Sequence, residues 1–499
     1  MKVSGDLPGR TARGMAWSMA ATFGSRLISL AALVVLARLL APEEFGLLAF
    51  ALVFLAYLET VGDLGTGAAL VYWSRRWRDV AQLTFLANLV MGVVWMGVAI
   101  VSAPAVASFF GSAEGEQILR ALAFVMPLKA LSTTHDALLQ RELRFRTRMV
   151  PEVVLIATKS AVSVVLAFMG FGVWSLVWGQ LAGQTLGTVL FWALEPWRPG
   201  AYLPRNLIRP IFRYGRGIVA VNVLAAVVHH VDLVIVGRVF GVTVLGFYQM
   251  AYRVPDLAVT LLVRISSKVL FPALSRLQGV GGQLRHMYLP ALRYLSILTV
   301  PATLGLMMLA EPIVLTLFGT QWGASVPILR VIALYTGLKA LGSHVGDLLK
   351  AVGRPGLLAL LGAGRAVVLV PALMAAATRS PLAVAGALTA VTGVSTVVNL
   401  AVACHLMGVS WRGILDALRP SLAASGPLLA FLLLWDRAAG SLPPAASLAG
   451  GTLLGAGLYL FSLWAVAPHV FRTALETVRS PAQAPRVQER HLPSPGAVV

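Results

Sequence analysis

Sixteen ionisable side chains stand inside runs of otherwise apolar residues. Ten are cations: Arg26, Arg120, Lys129, Lys159, Arg253, Arg264, Lys268, Arg330, Lys339 and Arg365. Six are carboxylates: Glu59, Asp63, Asp136, Asp232, Asp256 and Asp347. At the centre of a membrane helix each such charge costs about 2.5–3.5 kcal/mol, so it belongs against a bundle interior or a wet cavity. Arg120, Asp136, Lys268 and Arg330 stand near run ends, where a long side chain reaches the interface. The cation surplus favours an anionic ligand, and arginine suits phosphate because its planar fork donates two hydrogen bonds together. Arg26, Arg253, Arg264 and Lys339 are therefore the candidate ligand-binding cations. Glu59, Asp63, Asp232 and Asp256 are candidates either for ion coupling or for balancing those cations.

Helical spacing gathers these groups into stripes. Ser18, Thr22, Ser25, Arg26 and Ser29 recur at steps of three and four. Arg253, Asp256, Thr260, Arg264 and Lys268 do the same, and eleven residues is close to three turns, so Arg253 and Arg264 point one way. Glu59, Asp63 and Thr66 form a shorter stripe, as do Lys339, Ser343 and Asp347. A polar stripe on an apolar helix inverts the usual amphipathic pattern and predicts an inward, wetted face. Asn222, His229 and His230 add polarity near Asp232. Adjacent histidines on a helix point about 100° apart, which makes no metal site, and no cofactor is expected.

The elements that must carry these groups are long apolar helices. Of 499 residues 58% are hydrophobic and 12% charged. About 20 residues cross a hydrocarbon core, and fourteen apolar segments are predicted: 14–37, 45–72, 80–103, 117–139, 149–169, 172–194, 211–237, 245–275, 288–309, 323–349, 356–377, 382–407, 415–435 and 445–467. Sheet alternation is absent, so the expectation is an all-α polytopic membrane protein and not a barrel. The one cysteine, Cys404, excludes an internal disulfide and reads as a small buried hydrophobe. Lys2, Arg10 and Arg13 precede a long first segment with no short signal-peptide core, so it is expected to stay uncleaved. Pro127, Pro255, Pro301 and Pro371 interrupt helices and mark bends.

A formal charge of +20 would suggest nucleic acid in a soluble chain; here topology accounts for it. With the N-terminus cytoplasmic, 26 of the 40 Lys and Arg fall in loops or helix ends on that side and only Arg38, Arg238, Arg379 and Arg437 on the other. This is the positive-inside bias, and it places both termini in the cytoplasm. The tail from Pro468 is expected to be disordered.

The turn at 35–47, VLARLLAPEEFGL, recurs at 235–247 as IVGRVFGVTVLGF. Arg38 matches Arg238, Gly46 matches Gly246 and Ala51 matches Ala251. Six crossings separate the copies, which predicts parallel repeats: an N-terminal lobe (1–197), a C-terminal lobe (198–410), two extra helices (411–467) and a tail (468–499), with a cavity shared by the lobes.

Four stretches carry a family resemblance: ARLLAPEEFGLLAFALVFLAYLETVGDLGTGAALV (37–71), LLQRELRFRTR (138–148), DLVIVGRVFGVTVLGFYQMAYRVPDL (232–257) and ISSKVLFPALSRLQ (265–278). The chain resembles the Wzx-type lipid-linked oligosaccharide flippases of the multidrug/oligosaccharidyl-lipid/polysaccharide exporter superfamily. That resemblance implies an inner-membrane protein whose cavity alternates between the two faces. The cargo would be a polyprenyl-diphosphate-linked oligosaccharide, with membrane lipid, a polysaccharide polymerase and a chain-length regulator as further partners. Arg26 and Arg253 fit a diphosphate-holding role by position.

Two other readings compete. A multidrug or organic-cation antiporter would share the architecture but calls for a carboxylate excess. A polysaccharide polymerase or ligase needs catalytic residues in a sizeable external loop, whereas the short external loops hold only a few ionisable groups, such as Glu114, Glu116 and Glu311. No Walker-type glycine loop is present, so energy would come from an ion gradient or from product consumption.

Overall fold

The computed structural model describes residues 7–62, 70, 76–142, 144–200, 202–276 and 283–468. Asp63 and Thr66 lie outside these residues, as does the tail beyond 468, and so do the side chains of Ser18, Asn222 and Lys268. The described chain is helical, with no strand among the described residues. In hydrocarbon a helix satisfies every backbone group within its own segment. Ten helices among the described residues are long and apolar enough to cross a membrane. This is a multi-pass α-helical membrane protein.

The first seven helices are α1 (Leu7–Leu39), α2 (Pro42–Gly62), α3 (Trp77–Phe110), α4 (Glu114–Ala123), α5 (Val125–Arg141), α6 (Phe145–Phe168) and α7 (Val173–Leu194). The predicted segment 117–139 is thus two helices. A short amphipathic piece, α4, precedes the longer α5. α3 stops at Gly111, whose φ of 70° lets its amide reach back to the carbonyls of Ala107 and Ser108.

The second series begins with α8 (Arg205–Pro255). It covers two predicted segments because Gly241, at φ 84° and ψ 173°, bends the chain without ending the helical bonding pattern. Only glycine tolerates that backbone. Gly241 stands 200 residues after Ala41, so both copies of the sequence repeat turn at the same place. A π-helical turn at Asp256–Thr260 follows Pro255 and leads into α9 (Leu261–Ser275). Then come α10 (Gln283–Met308), α11 (Ala310–Leu317), α12 (Ser325–Ala351), α13 (Pro355–Ala377), α14 (Pro381–Met407), α15 (Trp411–Ala438) and α16 (Pro444–Val466). α14 starts on a Ser380 cap, which accepts from the Ala383 amide at 3.1 Å, with Pro381 in the first turn.

Packing sorts the helices into two groups. α1 rests on α6, α6 on α7 and α3 on α5, while α12 packs against α10 and α14, and α13 against α14. α15 and α16 pack on α10 and α11. The main bridge between the groups is α2 against α8. It forms at one end, the side that carries few arginines. The largest core cluster gathers there, with Leu36, Leu40, Phe45, Phe50, Leu245, Phe318 and Trp322 all buried. Trp322 is fully buried between Phe45 of α2 and Phe247 of α8, at ring separations of 5.3 and 5.9 Å.

Candidate substrate cavity

Beneath that core, between the two groups, lies a cavity of about 1190 Å³. Its walls are the polar stripes. α1 supplies Thr22, Ser25, Arg26 and Ser29; α2 supplies Glu59; α3 supplies Asn88 and Trp95; α5 supplies Lys129 and Thr133. From the other group come His229, His230, Gln249, Tyr252 and Arg253 of α8, Asp256 of the π-turn, Arg264 of α9, and Tyr335 and Lys339 of α12. All four cations proposed from spacing therefore meet in one place. The π-turn adds a residue between Arg253 and Arg264, so they are not three regular turns apart, yet both guanidiniums reach the cavity.

The charges are unbalanced. Five cations line the wall (Arg26, Lys129, Arg253, Arg264 and Lys339) against three carboxylates, Glu59, Glu152 and Asp256. Lys129 Nζ donates to Glu59 Oε2 at 2.5 Å, so that pair cancels. Glu152 faces Arg148 at 3.5 Å. Asp256 accepts from Thr260 Oγ1 at 2.7 Å. Among the described residues Arg26, Arg253, Arg264 and Lys339 have no carboxylate within ion-pair distance. Lys339 instead lies over the Tyr335 ring at 5.5 Å. Uncompensated cations in a recess of this size have the charge that suits an anionic ligand, and the neighbouring amide, hydroxyl and indole groups suit a hydroxyl-rich one.

A family model described as "Polysaccharide biosynthesis protein" matches residues 35–327, more than half of the chain. The chain belongs to that family. The succinoglycan biosynthesis transport protein ExoT of Rhizobium meliloti is 26% identical over 486 residues, 95% of this chain and 96% of the relative. The lipopolysaccharide biosynthesis protein WzxC of Escherichia coli is 26% identical over 349 residues, 69% of this chain and 70% of the relative. Among solved structures, the lipid II flippase MurJ in an inward closed conformation matches with a TM-score of 0.75, covering 93% of this chain and all of that one at 15% identity. The resemblance read from residues 37–278 is thus borne out, and the fold is that of MurJ.

Not every intramembrane charge belongs to the cavity. Asp232 is 2% exposed and is not among the cavity's lining residues, accepting from the hydroxyls of Tyr248 at 3.3 Å and Tyr252 at 2.5 Å. Asp347 sits 3.5 Å from His344, one turn away on α12. Arg120 pairs with Glu116 at 2.8 Å and Asp136 with Arg148 at 2.6 Å, both near helix ends as expected. Arg365 donates to Thr392 of α14 at 3.1 Å. Sequence reasoning missed Glu152. It is the fourth residue of segment 149–169, and its spacing of four from Arg148 was the available signal. Trp95 and Asn88 were missed because a single tryptophan or asparagine in an apolar run carries no periodic mark.

Proposed function

We propose that this chain is a flippase that carries polyprenyl-diphosphate-linked oligosaccharide units across the bacterial inner membrane, from the cytoplasmic to the periplasmic leaflet, by alternating access. One observation carries the reading: four cations without carboxylate partners, Arg26, Arg253, Arg264 and Lys339, converge from both helix groups on one cavity. A diphosphate needs such a wall, and the polar groups of α3, α5 and α8 accommodate the sugars. A surplus of cations repels organic cations, which argues against multidrug antiport. The names of the relatives, transport protein for succinoglycan and lipid II flippase, describe cargo of the same chemical kind.

In this reading helices α1–α7 and α8–α14 form lobes 1–197 and 198–410 that rock about the α2–α8 contact, with α15 and α16 appended. The termini and the arginine-rich loops face the cytoplasm, so the closed end is periplasmic. Glu59 balances Lys129, and Asp232 braces α8. The chain acts as a carrier and not as a catalyst, delivering substrate to a polymerase on the far side.

The test is replacement of the gene by Arg26→Ala or Arg253→Ala variants, followed by analysis of lipid-linked intermediates. The expected result is loss of exported polysaccharide, with repeat units accumulating in the inner leaflet while the protein inserts at normal abundance. Full polysaccharide production by both variants at normal abundance would overturn the diphosphate role.

A further inference from the structure

We propose that Trp95, Thr133 and Glu152, all on the first helix group, form a sugar track along one wall of the cavity, with Arg148 and Asp136 positioning Glu152 in it. The inference rests on the flippase reading and names the residues that read the oligosaccharide.

Printed contacts between helices set the order of these residues along the wall. α3 and α5 are antiparallel neighbours: Arg141, at the end of α5, lies over the ring of Trp77, at the start of α3, at 5.2 Å. Midway along, a Cβ on Gly92 would stand 2.8 Å from the Cβ of Ala130. Trp95 lies three residues beyond Gly92 toward the closed end, and Thr133 three residues beyond Ala130 the other way. Helical rise sets the two about 9 Å apart along the wall, room for about two pyranose rings. A second bridge brings Glu152 level with Thr133. Arg148 of α6 donates to Asp136 of α5 at 2.6 and 3.1 Å. Thr133 precedes Asp136 by three residues and Glu152 follows Arg148 by four, so both stand about one turn from the bridge, on its closed-end side. Trp95, Thr133 and Glu152 all line the cavity.

The indole nitrogen of Trp95 is buried and has no hydrogen-bond partner among the described residues. What the ring offers the cavity is therefore its carbon surface. Among the described residues no other ring or cation covers it, whereas Tyr335 lies under Lys339 and Tyr252 meets Tyr248 and Tyr335. The face of an indole is the negative side of its quadrupole, and the C–H face of a pyranose is weakly positive. Glu152 supplies the polar contact. Arg148 approaches its Oε1 at 3.5 Å, yet Asp136 already balances that guanidinium, so the three groups together keep one negative charge. Glu152 Oε2 has no partner among the described residues. An ionised carboxylate only accepts, which suits sugar hydroxyls, and its charge turns a diphosphate away. Arg253, Arg264 and Lys339 stand on the opposite helix group. The two walls thus sort the cargo, with the sugars along α3, α5 and α6 and the diphosphate facing the other group.

The test uses the full chain purified in detergent and two probes. One is the lipid-linked intermediate extracted from cells that lack the gene; the other is farnesyl diphosphate, which carries no sugar. The unaltered chain is expected to bind the intermediate more tightly. Trp95→Leu and Glu152→Gln should each weaken binding of the intermediate about tenfold and leave that of farnesyl diphosphate as it was. Trp95→Phe keeps an aromatic face and should retain most of the preference. Arg148→Met should lower the preference as Glu152→Gln does, although Glu152 is intact, and Arg148→Lys should restore it; a full preference in Arg148→Met removes the positioning role. Both wall substitutions must act: unaltered binding of the intermediate by either one rejects the track and leaves the flippase reading standing. Equal loss of both probes, or an unaltered chain with no preference between them, rejects the track as well. A chain that binds neither probe, or cells that accumulate no lipid-linked intermediate without the gene, reject the flippase reading and the track together.

Discussion

Gly46 and Gly246 press against one another where α2 meets α8. A Cβ on Gly46 would stand 1.7 Å from the Val242 carbonyl oxygen, and one on Gly246 would stand 1.9 Å from that of Pro42. The contact is reciprocal, each glycine meeting the carbonyl four residues before the other. Positions 42 and 46 repeat at 242 and 246, so the sequence repeat is also a local two-fold axis at the closed end. No side chain fits there, and the two backbones touch only because both residues are glycine.

Gly46→Val or Gly246→Val should therefore wedge this end apart. Overpacking of this kind costs about 1–3 kcal/mol, enough to shift a two-state equilibrium about fivefold or more toward the form open at this end. The check is labelling of a cysteine at the buried Leu40 position by a membrane-impermeant maleimide, in a Cys404→Ser background. Faster labelling with either valine, at unchanged abundance, is the expected outcome; equal rates would show that the glycines are not part of the closure.

Arg38 holds the same end from another direction. Its Nη2 donates to the Thr316 carbonyl at 2.6 Å, at the C-terminus of α11, where a cation complements the helix dipole. The neighbouring Ala37 carbonyl accepts from Trp322 Nε1 at 2.7 Å and from Gln321 Nε2. α1 of one group is thus latched to the α11–α12 connection of the other. Arg38→Met and Gln321→Met should each loosen the latch by about 0.5–1.5 kcal/mol, and the double substitution should label faster than either single one. A double substitution that labels at the unaltered rate would remove the latch from the account.

The Glu59–Lys129 pair decides between charge balance and ion coupling at this position. Both side chains are partly exposed, at 32% and 52%, so the pair adds less than about 1 kcal/mol to stability. Glu59→Gln leaves Lys129 as a further unpaired cation and is expected to reduce export several-fold. Glu59→Gln with Lys129→Met restores neutrality and is expected to recover most of it. Continued loss in the double variant would instead mark Glu59 as a group that binds the coupling ion.

The parts of the cavity that follow from one helix were legible in the sequence. Thr22, Ser25, Arg26 and Ser29 share a face because of their spacing alone, and all four line the wall. What depends on two helices was not. That Lys129 cancels Glu59 is decided by the placement of α5 beside α2, and no spacing within either helix encodes it. The repeat at 42–46 and 242–246 was visible as a match but not as a contact. Asp232 was grouped with the cavity by its charge. It is buried off the wall because Gly241 folds the second half of α8 back on the first and brings two tyrosines over it.

That fold-back gives the last prediction. Asp232 precedes the bend at Gly241, and Tyr248 and Tyr252 follow it, so their hydrogen bonds brace the two halves of α8. Tyr252 also meets Tyr335 at 5.9 Å, and Tyr335 carries Lys339 on its face, so the brace extends to a cavity cation. Asp232→Asn retains an acceptor and should keep both the melting temperature and export near those of the unaltered chain. Asp232→Leu strands the buried Tyr248 hydroxyl at about 1–3 kcal/mol, removes the acceptor of Tyr252 as well, and should lower the melting temperature clearly. If Asp232→Asn instead melts normally but exports nothing, the carboxylate charge itself takes part in transport, and the brace is only its secondary role.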